Sequence, residues 1–334
     1  MAFNQRIFYA CQAVAIAPRG TATLTTAHIV KGLQSVGMSS TFTLDQVFEM
    51  GQIAIYENIE EVADIEVTLE KVIDGYKLIY DLATQGACKT SLVTSSKVRT
   101  DVYLAVYDDG TDNATGLPRT VCMNSGMYVS SVSYSYSIDG SATESVTMVG
   151  NDRFWNTTHG AIGTAPTAAW GTLATGFDSD TPKSGVVRRV DVDILNSTLP
   201  MEVTLQKGND AVNLSAGAHI QSVSVSTDFG QENIQELGRF GPYHRYATFP
   251  IEVTAEFEVI ATSGDLISVS GSHPNLQNRS ITIKDTAGTI LNLGTKNKLA
   301  SVSYSGADTG GGNATVSYSY SNFNVLTVDG GDTS

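Results

Sequence analysis

The sequence has few cysteines, few basic residues and no long apolar run. Its three cysteines, Cys11, Cys88 and Cys122, are odd in number and widely spaced, which excludes a disulfide framework or a CxxC metal site and favours a reducing compartment. The longest apolar stretch, residues 7–17, is far shorter than the ~20 residues that cross a bilayer. It follows Arg6 as a signal-peptide core would, but we interpret it as a buried N-terminal strand and expect no membrane association.

Charge is scarce and mostly negative. The chain has 20 basic and 34 acidic residues, a net charge of −14, and such a surface repels phosphate, which excludes a nucleic-acid clamp. Charged residues make up 16% of the chain, against about 25% in an average globular protein. Serine, threonine, glycine and asparagine take their place, with 14 tyrosines, a composition typical of extended, partly solvated β-structure.

Motifs for catalysis or metal binding are missing. The five histidines are scattered, and no GxSxG, HExxH, P-loop or GxGxxG pattern occurs. The aspartate-rich residues 108–112 lack the alternation of a calcium loop and are better explained as a hairpin turn. Asp191 and Asp193 share one face of a strand with no further ligands. We therefore expect no enzyme activity, no metal and no cofactor.

An internal repeat is present instead. The matching segments keep the same order along the chain: residues 34–36 with 221–223, 49–51 with 236–238, 65–70 with 251–256, and 131–135 with 301–305. Single matches of this kind arise by chance, but a series in one order indicates a duplication. We predict a first β domain at 1–160, a connector at 161–185 rich in glycine, threonine and alanine, and a second β domain at 186–334.

Each half has the alternation of β-strands. Residues 63–70 and 251–259 alternate strictly between apolar and polar side chains, which predicts strands with one buried and one solvated face. Further strands are predicted at 102–107, 129–138, 145–149, 281–283, 299–304, 315–320 and 324–328. One helix is predicted after Asp74 as N-cap, ended by Gly86, with a shorter stub at 263–267. The predicted fold class is mainly β, with two tandem antiparallel sandwich or barrel domains, one of which carries a flanking α-helix.

The polar face of the repeated strand is acidic in both halves. Carboxylates are normally exposed, so an ordinary solvated face is the simple explanation, but surfaces that serve solubility alone usually mix the two signs of charge. A stripe of one sign, repeated around a ring, would line a channel through which DNA passes without sticking. The residues predicted to line this channel are Asp64, Glu66, Thr68, Glu70, Glu252, Thr254, Glu256 and Glu258.

The sequence resembles bacteriophage tail-tube proteins, and more broadly the family that includes the type VI secretion tube protein. The likeness is carried by the strand–loop–strand unit 34–73 with its Phe48-Glu49-Met50-Gly51-Gln52 turn, by the helix at 74–83 and by the Ser/Tyr strand at 129–138. It implies a structural virion protein, made in the host cytoplasm, whose stacked rings form the tail tube. Family members usually have one domain and form hexamers, whereas this chain has two domains.

A fused pair of domains closes a six-membered ring with three chains, so we expect a pseudo-sixfold trimer; a hexamer with the second domain outside is the alternative. The resemblance implies that the hairpins at 48–60 and 235–246 contact the next ring, with opposite charges on the two loops. The residues predicted for this contact are Phe48, Glu49, Glu57, Glu60, Arg239, His244 and Arg245.

The resemblance also implies partners: further copies of the chain, tape-measure, baseplate and terminator proteins, a sheath in a contractile tail, and viral DNA in transit. Two alternatives stay open. One is a tail terminator, neck or baseplate-tube component. The other is a non-enzymatic carbohydrate-binding tail module, which would have exposed aromatic platforms, whereas Trp155 and Trp170 lie near the connector.

Overall fold

The computed structural model describes residues 6–107, 118–156, 182–195, 219–261, 278–307, 309 and 311–330. Within these residues the chain is mainly β and its sheets are antiparallel, which confirms the predicted class. The predicted helix stub at 263–267, the turn at 108–112 and most of the connector lie outside the described residues. The domain boundaries stay a prediction.

The described strands and helices of the first half are β1 (Gln12–Pro18), β2 (Leu33–Thr41), β3 (Leu44–Phe48), β4 (Ile55–Glu60), β5 (Asp64–Val72), α1 (Ile79–Ala83), α2 (Leu92–Ser95), β6 (Thr100–Val106), β7 (Thr120–Ser137), β8 (Thr143–Gly150) and β9 (Asp152–Asn156). Those of the second half are β10 (Val192–Leu195), β11 (Ile220–Asp228), β12 (Gln231–Ile234), β13 (His244–Ala247), β14 (Glu252–Ile260), β15 (Thr282–Asp285), β16 (Ile290–Asn292), β17 (Lys298–Ser305), β18 (Thr315–Phe323) and β19 (Thr327–Asp329). The strand predicted at 324–328 begins only at Thr327, because Asn324 has a positive φ of 63° and interrupts the extended chain.

The two halves share one main sheet. Its strands run in the order β17-β18-β14-β11-β7-β8-β5-β2, so each half contributes four neighbouring strands in the same internal order. Strands β7 and β11 join the halves in an antiparallel ladder from Ser137–Ser222 to Ser131–Asp228. The two edge strands of this order are therefore β2, from the first half, and β17, from the second half.

A second layer covers one face of the main sheet. In the first half β1 pairs with β6, and β6 and β9 pair with the N-terminal part of the long strand β7. In the second half the corresponding sheet has the order β10-β15-β16-β19. Apolar side chains of both halves form one buried cluster, in which Val67 and Leu69 of β5 and Val253 and Phe257 of β14 take part. The other face of the main sheet is left for solvent.

The predicted helix is shorter than expected and its cap is different. The helix begins after Leu78 and not after Asp74. Asp74 therefore does not act as its N-cap. The carboxylate of Glu144, on β8, accepts hydrogen bonds from the backbone N–H groups of Ile79 at 2.6 Å and Tyr80 at 3.1 Å. A side chain from the neighbouring strand thus satisfies the N–H groups that an N-cap would otherwise serve. Burial raises the pKa of this glutamic acid.

Candidate functional site

The open face of the main sheet carries all eight residues that the sequence assigned to a channel lining. In β5 the side chains of Ile65, Val67 and Leu69 are buried, while Asp64, Glu66, Thr68 and Glu70 alternate with them on the other face. Strand β14 has the same alternation, and its Glu252, Thr254, Glu256 and Glu258 point away from the buried cluster. Because both strands belong to one sheet, the two acidic stripes lie on a single surface.

Hydroxyl groups fill the space between and beside the acidic stripes. Each acidic residue pairs with residues on the two adjacent strands, and these residues pair in turn with the next strands of the sheet. Most of the residues in these pairs are serine or threonine: Ser35, Ser39, Ser131, Ser133, Ser135, Ser145, Thr147, Ser222, Ser224, Ser226, Ser301, Ser303, Ser317, Ser319 and Ser321. Two basic side chains meet this face within the described strands: Lys298 of β17 lies opposite Ser321, and Arg245 of β13 contacts Asp64. The surface is therefore polar and negative, and it offers a polyanion little to bind.

The two stripes are held in the same way. Ser35 Oγ donates a hydrogen bond to Glu70 Oε2 at 3.4 Å, and Ser222 Oγ donates one to Glu258 Oε2 at 3.3 Å. In both ladders a one-residue irregularity precedes the serine, between Leu33 and Ser35 in β2 and at the equivalent place in β11. A β-bulge adds local twist and aims the following side chains.

The ladders correct one expectation about the repeat. The sequence match of 65–70 with 251–256 sets Glu70 against Glu256, but the strand register sets Glu70 against Glu258, two residues further on. By the same register Glu66 corresponds to Thr254. The sequence match paired glutamate with glutamate and threonine with threonine, and the strand register does not. Side chains in a strand alternate with a period of two, so a slip of two residues leaves the acidic groups on the same face and moves them only along it.

The two predicted hairpins exist as separate ribbons. Among the described strands, β3 and β4 pair only with each other, as do β12 and β13. Every residue of β3 and β4 is exposed, including Phe48, Glu57 and Glu60, and Glu49 of the connecting turn is exposed as well. Arg239 is exposed near the tip of the second hairpin. These five residues are therefore available to another molecule.

Arg245 and His244 differ from the prediction. Arg245 is buried, and its Nη2 lies 2.6 Å from Asp64 Oδ1 of the first half, while its Nε donates to Asn151 Oδ1 at 3.2 Å. The His244 ring is half-buried and stacks on Tyr246 with ring centroids 4.5 Å apart. The second hairpin thus folds back onto the first half, and the sequence could not reveal this, because a charge count does not show which loop a neighbouring carboxylate meets.

The described residues offer no cluster of three or more histidine, cysteine, aspartate or glutamate side chains that could hold a metal ion. The three cysteines are buried, and none of them forms a disulfide within the described residues. Burial raises the pKa of the Cys88 thiol to about 12 and that of Cys122 to about 11, which keeps both protonated and unreactive at neutral pH. No helix in the described part of the chain combines the length and the apolar character that a membrane span requires.

Comparisons with known proteins find a likeness to solved structures but none by sequence. No family model matches the chain, and no curated protein matches it either. Among solved structures, the chain is similar to a chain in the cryo-EM structure of the anti-feeding prophage baseplate, with 12% sequence identity and a TM-score of 0.32, over 45% of this chain and 95% of that one. At this TM-score the likeness identifies no common fold.

Proposed function

We propose that this chain is a structural, non-catalytic virion protein whose copies close into rings and stack into a phage tail tube, a negatively lined conduit for DNA. The observation that carries the proposal is the order of the main sheet, in which two four-stranded sets are joined head to tail. A head-to-tail contact between like units is heterologous, and it generates a ring when its rotation closes. The inner junction between β7 and β11 is then the pattern for the junction between chains.

The free edges match that inner junction. Strand β17 holds the place of β7 and strand β2 holds the place of β11, and the ladder irregularities recur at equivalent points: Val129–Ser131 in β7 and Leu299–Ser301 in β17. If β17 of one copy pairs with β2 of the next in the register of the inner junction, Ser303 faces Ser39 and Tyr304 faces Met38 of the neighbour.

The exposure of the edge strands supports this pairing. Tyr304 is 53% exposed, whereas Tyr134, its counterpart in β7, is 1% exposed. Val36 and Met38 of β2 are half-buried, whereas Val223 and Val225 of β11 are buried. A long edge strand with apolar side chains is a template for another strand, which natural proteins cover or block. Here neither edge is blocked by proline, and pairing with a second copy covers both.

The diameter expected for a ring of three chains is wide enough for a hollow conduit. Eight strands per chain make 24 strands in three chains. At about 4.8 Å per strand the circumference is roughly 115 Å and the backbone diameter about 37 Å, widened further by strand tilt. Four strand-to-strand steps separate β5 from β14 within a chain, and four steps also separate β14 from β5 of the next chain. Six acidic stripes are then spaced evenly around the ring, by about 19 Å.

The exposed hairpins supply the contact between rings in this proposal. The first hairpin carries Glu49, Glu57 and Glu60, and Arg239 is the exposed basic group of the second. Opposite charges on alternating loops favour docking in one register. In this proposal the tube is assembled in the host cytoplasm, belongs to the virion, and meets tape-measure, baseplate and terminator proteins at its ends.

A designed disulfide tests the ring. The variant Ser39→Cys with Ser303→Cys is expected to give chain-to-chain disulfides under mild oxidation, because directly opposed residues in an antiparallel ladder have Cα atoms about 4.5–5.5 Å apart. The matched control, Ser133→Cys with Ser226→Cys, places the pair in the inner ladder and forms a disulfide without joining chains. A cross-linked species of three 35.4 kDa chains, about 106 kDa, supports the trimer, and one of six chains contradicts it.

A charge reversal tests the conduit. Lysine at Glu66, Glu70, Glu256 and Glu258 is expected to leave tubes intact but to make them retain duplex DNA in a sedimentation assay at low salt, since a basic lining binds phosphate. The control places lysine at Asp152, an exposed residue of β9 that belongs neither to the acidic stripes nor to the hairpins. Electron microscopy of the wild-type protein should show filaments with a central hole. Single rings that never stack would indicate a terminator, and monodisperse globules would contradict the proposal.

A further inference from the structure

The segment that leads into the second half lies across the end of the first half. Val187 is 1% exposed. Its backbone N–H donates to the carbonyl of Ile73 at 2.9 Å, and its carbonyl accepts from the N–H of Ala142, also at 2.9 Å. Ile73 follows β5 and Ala142 precedes β8, so Val187 is inserted at the end of the ladder between these two strands.

The first half begins with the same local structure. A short 3-10 turn, Arg189–Asp191, follows Val187 and leads into β10, and a 3-10 turn, Tyr9–Cys11, leads into β1. Each turn is closed by one backbone hydrogen bond, from Asp191 to Arg188 at 2.9 Å and from Cys11 to Phe8 at 3.0 Å. In this correspondence Ile7 holds the place of Val187. Ile7, however, is 62% exposed.

The second half has two alanines at the positions equivalent to Ile73 and Ala142. Ala261 follows β14 and Ala314 precedes β18, as Ile73 and Ala142 do in the first half. The Ala261 N–H donates to the Ala314 carbonyl at 2.7 Å, the counterpart of the 2.9 Å bond from Ile73 to Ala142. Among the residues that the structure describes, no backbone group is inserted beside this pair, and both alanines are half-buried rather than buried.

The groove beside the segment that leads into the second half is smaller than the groove beside the segment that leads into the first half. At the inner junction the groove lined by Arg188, Val192 and Ile220 has a volume of about 350 Å³, and Tyr136 and Ile138 of the first half form its far wall. The corresponding groove of the first half, between residues 7–14 and the edge strand β2, has a volume of about 920 Å³ and is lined by first-half residues alone. It lacks the wall that a preceding half would supply.

We infer that residues 6–8 form a docking segment for a second copy of this chain, with Ile7 inserted between Ala261 and Ala314 of the preceding copy. The Ile7 N–H donates to the Ala261 carbonyl, and the Ala314 N–H donates to the Ile7 carbonyl, as in the contacts of Val187. This inference rests on the proposed head-to-tail ring and adds a second contact to it, at the end of the main sheet away from the hairpins. The occupant is a copy of the same chain because the inner junction already shows this fit.

A cysteine pair tests the contact. Ile7→Cys with Ala314→Cys is expected to give chain-to-chain disulfides in assembled protein, with a yield similar to that of Ser39→Cys with Ser303→Cys. The in-chain control is Val187→Cys with Ala142→Cys, which reproduces the same geometry at the inner junction and cross-links without a mass increase.

The outcomes separate the two proposals. Chain-to-chain bonds from both pairs support the docking segment. A bond from the Ser39 and Ser303 pair alone, or an Ile7 to Ala314 bond within one chain, overturns the docking segment and leaves the ring standing. Absence of chain-to-chain bonds from both pairs, with the in-chain controls formed, overturns the ring and the docking segment together.

A substitution gives an independent reading. Ile7→Asp places a charge at an apolar contact and is expected to raise the ring dissociation constant at least tenfold, measured by mass photometry across a dilution series. Its thermal unfolding as a monomer should not change, because Ile7 is mostly exposed in the single chain. Val93→Asp, at an exposed apolar residue of α2 outside the proposed contacts, is the control and should leave assembly unchanged. Equal behaviour of the two variants would overturn the inference.

Discussion

Strands β7 and β17 hold the same place in the two halves, and they differ in what lies beside them. Within the main sheet, β7 has β8 on one side and β11 on the other, whereas β18 is the one neighbour of β17 among the described strands. Val132 and Tyr134 of β7 are each 1% exposed, but Tyr304 of β17 is 53% exposed and Val302 is half-buried. Residues 129–135 and 299–305 are nearly the same in sequence, so the difference in burial comes from the surroundings of the two strands and not from the strands themselves.

Removing the two equivalent tyrosines should break this comparison most strongly. Tyr134→Ala is expected to lower the free energy of unfolding by about 3–5 kcal/mol, because it empties a site in the core and removes the hydrogen bond from the phenol to Glu144 at 2.9 Å. Tyr304→Ala should change the stability of the single chain by less than about 0.5 kcal/mol and should abolish ring formation. Urea unfolding at low concentration measures the first effect and mass photometry the second. Equal losses of stability would contradict the comparison.

The next effect concerns a polar contact found in the first half. Glu144 is fully buried and accepts hydrogen bonds from Ile79, Tyr80 and Tyr134, whereas Val316 occupies the corresponding place in the second half. Glu144→Ala is expected to cost about 3 kcal/mol, since buried donors lose their acceptor. Glu258→Ala, on the open face, is the control and should stay within about 0.5 kcal/mol. A small effect at Glu144, measured by urea unfolding, would show that the helix is held by packing alone.

The two arginines of the second hairpin should separate internal from external contacts. Arg245→Ala is expected to destabilise the chain by about 1–2 kcal/mol, because it removes hydrogen bonds between the halves. Arg239→Ala should leave chain stability unchanged and weaken the stacking of rings. Thermal unfolding measures stability, and the length distribution of filaments in electron micrographs measures stacking. Shortened filaments with Arg245→Ala but not with Arg239→Ala would reverse the assignment.

The smallest expected effect is on pH dependence. Burial raises the pKa of Glu144 above its ordinary value of 4.5, and burial also raises the pKa of Asp285. The folded chain therefore keeps a proton that the unfolded chain has released. For Glu144 this contribution to stability is fully present below pH 4.5, and for Asp285 below pH 3.8; each is lost as pH rises through the raised pKa of the folded state. Glu144→Gln should flatten this part of the profile, measured by urea unfolding from pH 4 upward, and an unchanged slope would contradict it.

Much of the fold was predictable because alternation of apolar and polar residues reports burial directly. The acidic strands β5 and β14 were predicted from that alternation, and their apolar faces lie in the shared core. The pairing of β7 with β11 was not predictable, because two strands of serine and tyrosine can pair with many others, and the choice depends on the whole sheet. The helix cap was missed for a related reason, since Glu144 is distant in the sequence from the residues it caps.

The candidate site was predicted in composition but not in register. Side chains on a strand alternate with a period of two, so the sequence could place all eight residues on one face of the sheet; that they line a channel stays a prediction. A slip of two residues leaves that pattern intact, and only the ladder partners reveal that Glu70 corresponds to Glu258. The contact of Arg245 with Asp64 was not predictable, because the two residues lie far apart in the sequence.

The covalent link across the β7–β11 junction has a consequence for how a ring forms. In the proposed trimeric ring, three of the six joints are completed when each polypeptide folds, at a rate independent of concentration. Only the remaining three depend on collisions between molecules, so the overall order of the reaction is halved relative to assembly from six separate subunits. Fewer kinds of incomplete ring can form, since a partial ring contains either one chain or two.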